Sequence, residues 1–157
     1  MTAISSSLFK KTKHSGVKTQ FSTFLVADRL YGIDVTRVQE VVKPMSMTRI
    51  PLAQNYVCGL INLRGQVATA IGMRQLFELP SESHFNSMNV VCKFEGNLIS
   101  LLVDDIGDVI EVSQDDFEPT PQTLPNAVRR FMAGVFKLNG PILSIIDVEK
   151  VSKFLNR

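Results

Sequence analysis

The chain has 157 residues, of which 45% are hydrophobic and 20% are charged, which excludes a wholly disordered protein. Its 17 Val and 11 Ile against seven Ala favour strands over a bundle of helices. The net charge is +2, but residues 1–19 hold four lysines and no acid, so the remaining residues hold 13 basic and 15 acidic side chains. A body so close to neutral lacks the strong basic field of a typical nucleic-acid-binding protein.

The first 19 residues are predicted to be a flexible basic tail, and residues 20–157 to be the folded part. The alternative is a tail that touches phosphate or anionic lipid. No apolar run reaches the roughly 18 residues that a membrane-spanning helix needs, and the start lacks a signal-peptide core. We therefore expect a cytoplasmic protein in which Cys58 and Cys92 are reduced and buried.

The first half of the folded part alternates short strands with short connections. The predicted elements are strands at 21–27 and 30–33; a helix from Val35 to Lys43, capped by Asp34 and stopped by Pro44; extended chain at 48–51; one helical turn at 55–59; a hairpin of 60–63 and 66–71 that turns at Arg64-Gly65; a short helix at 73–79; and a polar connector at 80–87.

The second half repeats this rhythm and closes with a helix. The predicted elements are strands at 88–94, 98–103 and 109–112; a loop at 115–125; a helical turn at 126–131; a hairpin of 133–138 and 142–146 about Asn139-Gly140; and a helix capped by Asp147 with Val148, Val151, Phe154 and Leu155 on its apolar side. Nine or ten short strands predict one hollow barrel or two small filled ones.

Motifs for catalysis or cofactors are missing from the sequence. It contains no phosphate loop and no dinucleotide fingerprint, and neither His14 nor His84 has a partner at metal-ligand spacing. We therefore expect no catalytic residue, metal or cofactor. Two alternatives stay open: a Cys58–His84 nucleophile pair, and a small barrel that binds nucleic acid through the basic tail and exposed Phe side chains.

The most informative stretch runs from Tyr56 to Gln66, where Asn62 and Arg64 interrupt an apolar strand before a turn. Side chains two residues apart share a strand face, so these two should project together. Arg64 could cap the hairpin by bonding backbone carbonyls, or it could present its donors to a partner. The residues alone give both roles equal weight.

An ordered set of short blocks resembles the CheW-type chemotaxis coupling proteins over roughly residues 20–155. The blocks are Tyr31-Gly32-Ile33-Asp34 with Val38-Gln39-Glu40-Val41; Thr48-Arg49-Ile50-Pro51 with Tyr56, Val57 and Gly59; Asn62-Leu63-Arg64-Gly65; Leu101-Leu102-Val103-Asp104 with Asp108 and Val109; and Gly134 with residues 143–147. Thr69 and Gly72 stand where the family usually carries a proline and an aspartate, which suggests a divergent paralogue serving a secondary array or a non-flagellar motility system.

The resemblance implies an all-β fold of two small five-stranded SH3-like barrels about a shared core, with short helices and a C-terminal helix. It implies a non-catalytic adaptor at membrane-associated receptor arrays, which meets the membrane only through receptors. The implied partners are the cytoplasmic helical hairpin of a chemoreceptor and the adaptor-like regulatory domain of a histidine kinase, with no nucleic acid. It places the receptor groove at Val38, Glu40, Gly59, Asn62, Arg64 and Val109, and leaves the kinase contacts unassigned.

Overall fold

Strands dominate the computed structural model, which describes residues 16–80 and 87–157. Within those ranges the strands are β1 Lys18–Val26, β2 Arg29–Asp34, β3 Val38–Val42, β4 Val57–Leu63, β5 Gln66–Gly72, β6 Met88–Phe94, β7 Asn97–Val103, β8 Asp105–Ser113, β9 Phe117–Glu118, β10 Met132–Lys137 and β11 Ile142–Ile146. The helices are α1 Met73–Leu76, α2 Asn126–Arg129 and α3 Val148–Leu155, and 3-10 turns occur at Val35–Arg37 and Gln114–Asp116.

Two sheets form the predicted pair of SH3-like barrels. The first barrel has the strand order β8-β1-β2-β11-β10-β9, and the second has the order β3-β6-β7-β5-β4. The chain builds two strands of the first barrel, then all of the second, and then returns to complete the first. The first barrel has six strands rather than the predicted five, because the short β9 pairs with Val135 and Phe136 of β10.

The two barrels share one core. Its largest cluster joins buried residues of the first barrel, such as Phe24 and Ile33, to buried residues of the second, such as Ile71 and Val90. Between them runs a chain of aromatic rings with centroids 5.1 to 6.3 Å apart, in the order Phe24, Tyr31, Phe77, Phe131 and Phe154. Rings at these distances add attraction to the area that they bury, so this chain of rings helps to hold the two barrels together.

The predicted helix from Val35 to Lys43 is wrong. Asp34 does cap a turn, since its side chain accepts from the Thr36 amide at 2.9 Å, but that turn ends at Arg37. From Val38 the chain becomes β3, which pairs antiparallel with β6. Valine favours strands, and pairing with a later strand decides between the two periodicities. The helical turn predicted at 55–59 is likewise wrong, because Val57 begins β4 and pairs with Ile71.

Other predicted elements are confirmed. The hairpins β4–β5 and β10–β11 turn where expected, and Asp147 caps α3 by accepting from the Glu149 amide at 2.9 Å. Val148 and Val151 bury the apolar side of that helix. β1 begins at Lys18, two residues before the predicted start of the folded part. Residues 1–15 of the predicted tail and the connector residue His84 lie outside the described residues.

Candidate functional site

Five of the six predicted groove residues lie at the two outer strands of the second barrel. Val38 and Glu40 are on β3, Gly59 and Asn62 are on β4, and Arg64 is in the turn that follows β4. These two outer strands are neighbours in space, because side chains of β3 reach the β4–β5 hairpin. Val109 lies on β8, one of the two outer strands of the first barrel, with 58% of its surface exposed.

An ion pair between Arg64 and Glu40 joins the β4–β5 turn to β3. The Arg64 side chain is 74% exposed and that of Glu40 is 21% exposed. Beside this pair, the Gln39 amide donates to the Gln66 side-chain oxygen at 3.4 Å. An ion pair so open to solvent adds little to stability. The pair also orients the exposed Arg64 guanidinium, because the less exposed Glu40 carboxylate holds one end of it.

Asn62, rather than Arg64, braces the turn. The Asn62 side-chain oxygen accepts from the Gly65 amide at 2.9 Å. Arg64 and Gly65 both adopt positive φ, at 50° and 90°, and glycine takes this conformation at little cost. The sequence left two roles open for Arg64. The bracing role belongs to Asn62, two residues earlier.

Gly59 lets a second segment of chain cross close over β4. Thr48 and Leu60 exchange two backbone hydrogen bonds, at 2.9 and 2.8 Å. A Cβ atom at Gly59 would lie 2.7 Å from the Thr48 carbonyl oxygen, which is closer than carbon and oxygen can approach. Gly59 thus shapes the site through its backbone, by allowing residues 47–48 to cover β4.

A bulge directs the part of β8 that carries Val109. The register between β1 and β8 shifts between Ser22 and Phe24. At this point the buried Thr23 hydroxyl donates to the Asp108 carbonyl, and a Cβ at Gly107 would lie 2.4 Å from that hydroxyl oxygen. Bulges re-aim neighbouring side chains, and here the residue directly after the bulge is Val109.

Sequence reasoning missed a clamp between Arg74 and Asp104. The Arg74 guanidinium meets the Asp104 carboxylate twice, Nη2 to Oδ2 at 2.7 Å and Nε to Oδ1 at 3.1 Å. The Ala27 amide also donates to Asp104 Oδ2, at 2.8 Å. Partial burial alone would raise the pKa of Asp104, but these hydrogen bonds and the charge of Arg74 outweigh it and lower that pKa. Asp104 stands in one of the blocks that carry the family resemblance, but no local pattern pairs it with Arg74, 30 residues earlier.

Two features of the described residues bear on catalysis. These residues contain no group of three or more His, Cys, Asp or Glu side chains that could hold a metal ion. Burial raises the pKa of the Cys58 thiol, and raises that of Cys92 to about 12, whereas a nucleophilic cysteine needs a lowered pKa. His84, the partner considered for Cys58, is outside the described ranges.

Exposed aromatic rings are scarce among the described residues. Among the Phe side chains that the structure describes, Phe117 is the exposed one, at 43%, while most of the others are in the core. A platform for stacking bases needs several exposed rings. No helix in the described parts of the chain is long and apolar enough to cross a bilayer.

Comparison with known proteins places these features in a family. The CheW-like domain family matches residues 20–154. The chemotaxis protein CheW of Helicobacter pylori is 32% identical over 135 residues, covering 85% of this chain and 81% of the relative. That of Treponema pallidum is 31% identical over 137 residues, with 84% and 81% covered. The crystal structure of the scaffolding protein TtCheW from Thermoanaerobacter tengcongensis matches with a TM-score of 0.76 and 29% identity, covering 83% of this chain and 90% of that one.

Proposed function

The chain belongs to the CheW-like domain family, and from this premise we propose that it couples chemoreceptors to a chemotaxis histidine kinase as a non-catalytic adaptor. Family members are non-catalytic scaffold or coupling proteins. The finer proposal is that the helical hairpin of a receptor docks across the outer strands β3, β4 and β8, while the adaptor-like domain of the kinase binds elsewhere. The protein would then work at membrane-associated receptor arrays, reaching the membrane only through its receptors.

The exposed Arg64 held by Glu40 is the observation that carries this proposal. A helix that docks in a groove needs apolar contacts and a few oriented polar groups. Val109 supplies exposed apolar surface, and the Arg64–Glu40 pair supplies an oriented cation. Asn62 braces the turn on which Arg64 stands, so the guanidinium is presented from a fixed backbone.

Fewer observations support the alternative functions. A thiol-dependent enzyme would need a lowered thiol pKa, and burial raises both. A nucleic-acid-binding barrel would need a basic surface and exposed rings, whereas the residues after the tail carry 13 basic and 15 acidic side chains. An adaptor for a non-flagellar motility system differs from the main proposal only in which receptor and kinase it joins.

The proposal is tested by Arg64→Ala in the full chain, titrated against a soluble hairpin fragment of a chemoreceptor from the same genome. A hydrogen bond to a charged group contributes about 1–3 kcal/mol, so binding should weaken about tenfold or more. Binding to the adaptor-like domain of the kinase should stay close to wild type. The melting temperature should change little, because the Arg64–Glu40 pair is exposed.

Lys153→Ala is the matched control. Lys153 has a side chain 72% exposed and pairs with Glu149 within α3, so this change removes a comparable ion pair that includes none of the proposed groove residues. It should leave receptor binding intact. Equal losses for receptor and kinase in Arg64→Ala, together with a lowered melting temperature, would mean that Arg64 is structural and that the groove lies elsewhere.

A further inference from the structure

The Arg74–Asp104 clamp sits where the chain passes from one barrel to the other. Asp104 is the single residue between β7 of the second barrel and β8 of the first. Its backbone amide donates to the Leu25 carbonyl at 2.9 Å, and its carboxylate accepts from Ala27 at the tip of the β1–β2 hairpin. Arg74 holds this carboxylate from α1, which follows β5 of the second barrel. One carboxylate thus ties three segments from both barrels.

The Arg74 side chain also hydrogen-bonds to a second group. Besides Asp104, the Arg74 guanidinium donates from Nη1 to the Pro80 carbonyl at 3.1 Å. Its side chain is 23% exposed and that of Asp104 is 33% exposed, so the pair is partly shielded from solvent. Two parallel hydrogen bonds between a guanidinium and a carboxylate also fix direction, which a single contact from a lysine would not.

The clamp holds the start of the strand that carries Val109. β8 begins directly after Asp104 and is held again by the Thr23–Asp108 bond at the bulge, one residue before Val109. The other proposed groove residues stand on β3, β4 and the β4–β5 turn of the second barrel. The distance across the groove therefore depends on where β8 leaves the second barrel.

We propose that Arg74 is a positioning residue of the receptor groove, which sets the place of β8 and Val109 relative to Glu40 and Arg64 by clamping Asp104. This inference rests on the proposed function, because it assumes that the receptor spans both barrels. It assigns Arg74 an effect on receptor binding that passes through Asp104 and β8.

The test uses the full chain and two measurements. The first is the affinity for the soluble receptor hairpin fragment, in the wild type and in Arg74→Gln. The second is the distance between spin labels on Val109→Cys and Val67→Cys in a Cys58→Ser background, where both labelled positions are 58% exposed and the remaining Cys92 is buried. Lys137→Gln, which removes an ion pair to Glu118 within the first barrel, is the matched control.

We expect Arg74→Gln to weaken receptor binding about threefold to thirtyfold, the range typical of residues that couple through packed structure. The label distance should shift or broaden in Arg74→Gln relative to the wild type. Lys137→Gln should change neither. If Arg74→Gln does not fold, Arg74→Lys carries the test, since it keeps the charge and loses the two-point contact.

Other outcomes would overturn the inference. If Arg74→Gln binds the fragment like the wild type, the clamp does not position the groove, although the proposed function stands. If binding weakens while the label distance is unchanged, Arg74 does not act through the position of β8. If the wild-type chain itself fails to bind the fragment, the proposed function fails, and the inference with it.

Discussion

Asn62 and Arg64, two residues apart, have different roles at the tip of the β4–β5 hairpin. Asn62 uses its side-chain oxygen inside the protein, as acceptor for the Gly65 amide. Arg64 uses its guanidinium outside, paired with Glu40 and 74% exposed. The shape of the tip and its chemistry are therefore separable, and single substitutions can remove one without the other.

Asn62→Ala should lower the free energy of unfolding by about 1 kcal/mol, the usual size of one hydrogen bond. Asn62→Asp keeps the acceptor oxygen and should stay closer to wild type. Urea denaturation of both variants measures the difference. The division of roles would be wrong if Asn62→Ala left stability unchanged while Arg64→Ala lowered it.

The charge state of Asp104 gives a prediction about pH. Because the clamp lowers the folded-state pKa of Asp104, the charged carboxylate stabilises the fold at neutral pH. That stability is present above the ordinary Asp pKa, near 4, and is lost as the pH falls through the lower folded value. The stability gap between wild type and Arg74→Gln should thus be constant from about pH 7 to 5.

Below about pH 4 the same gap should narrow, because protonation of Asp104 removes the charge that Arg74 holds. Urea titrations between pH 7 and 3 measure this stability gap. In an Asp104→Asn background, the stability difference caused by Arg74→Gln should not change as the pH falls. A gap of equal size at both ends of the range would contradict the assignment.

At the scale of elements, the sequence was sufficient where local chemistry decides the structure. Asn139-Gly140 marks the β10–β11 hairpin, and Asp147 caps α3. It was insufficient at 35–42, because valines at 35, 38, 41 and 42 fit a helix as well as a strand. Pairing with β6, about fifty residues later in the chain, determines that residues 38–42 form a strand rather than a helix. β9 was missed because two paired residues carry no periodicity.

The same limit applies to the candidate site. Strand geometry predicted that Asn62 and Arg64, two residues apart, would project together from one strand face. Arg64 instead lies in the turn after β4, with a φ of 50°. Glu40 and Arg64 are 24 residues apart, and Arg74 and Asp104 are 30 apart. Pairs at such separations are made by the fold, so no local pattern could match a carboxylate to its guanidinium.

At the scale of the whole molecule, the two barrels pack around one shared core. The largest core cluster draws on both sheets, and α3, which follows the last strand of the first barrel, packs Phe154 against Tyr56 of the segment leading into β4. The Asp147 amide also donates to the Phe131 carbonyl at 2.8 Å, which seats α3 on the shared core. Neither barrel can expose its inner face without disrupting the other.

We therefore expect a single two-state unfolding transition, with calorimetric and van't Hoff enthalpies that agree. The thiol of Cys92, buried on β6 of the second barrel, provides an independent probe in a Cys58→Ser background. Its reaction with a thiol reagent in urea should show the same midpoint as the fluorescence of Tyr31, on β2 of the first barrel, in a Tyr56→Phe background. Two resolved midpoints would mean that the barrels unfold separately. In that case the shared core would not couple the two barrels into one unfolding unit.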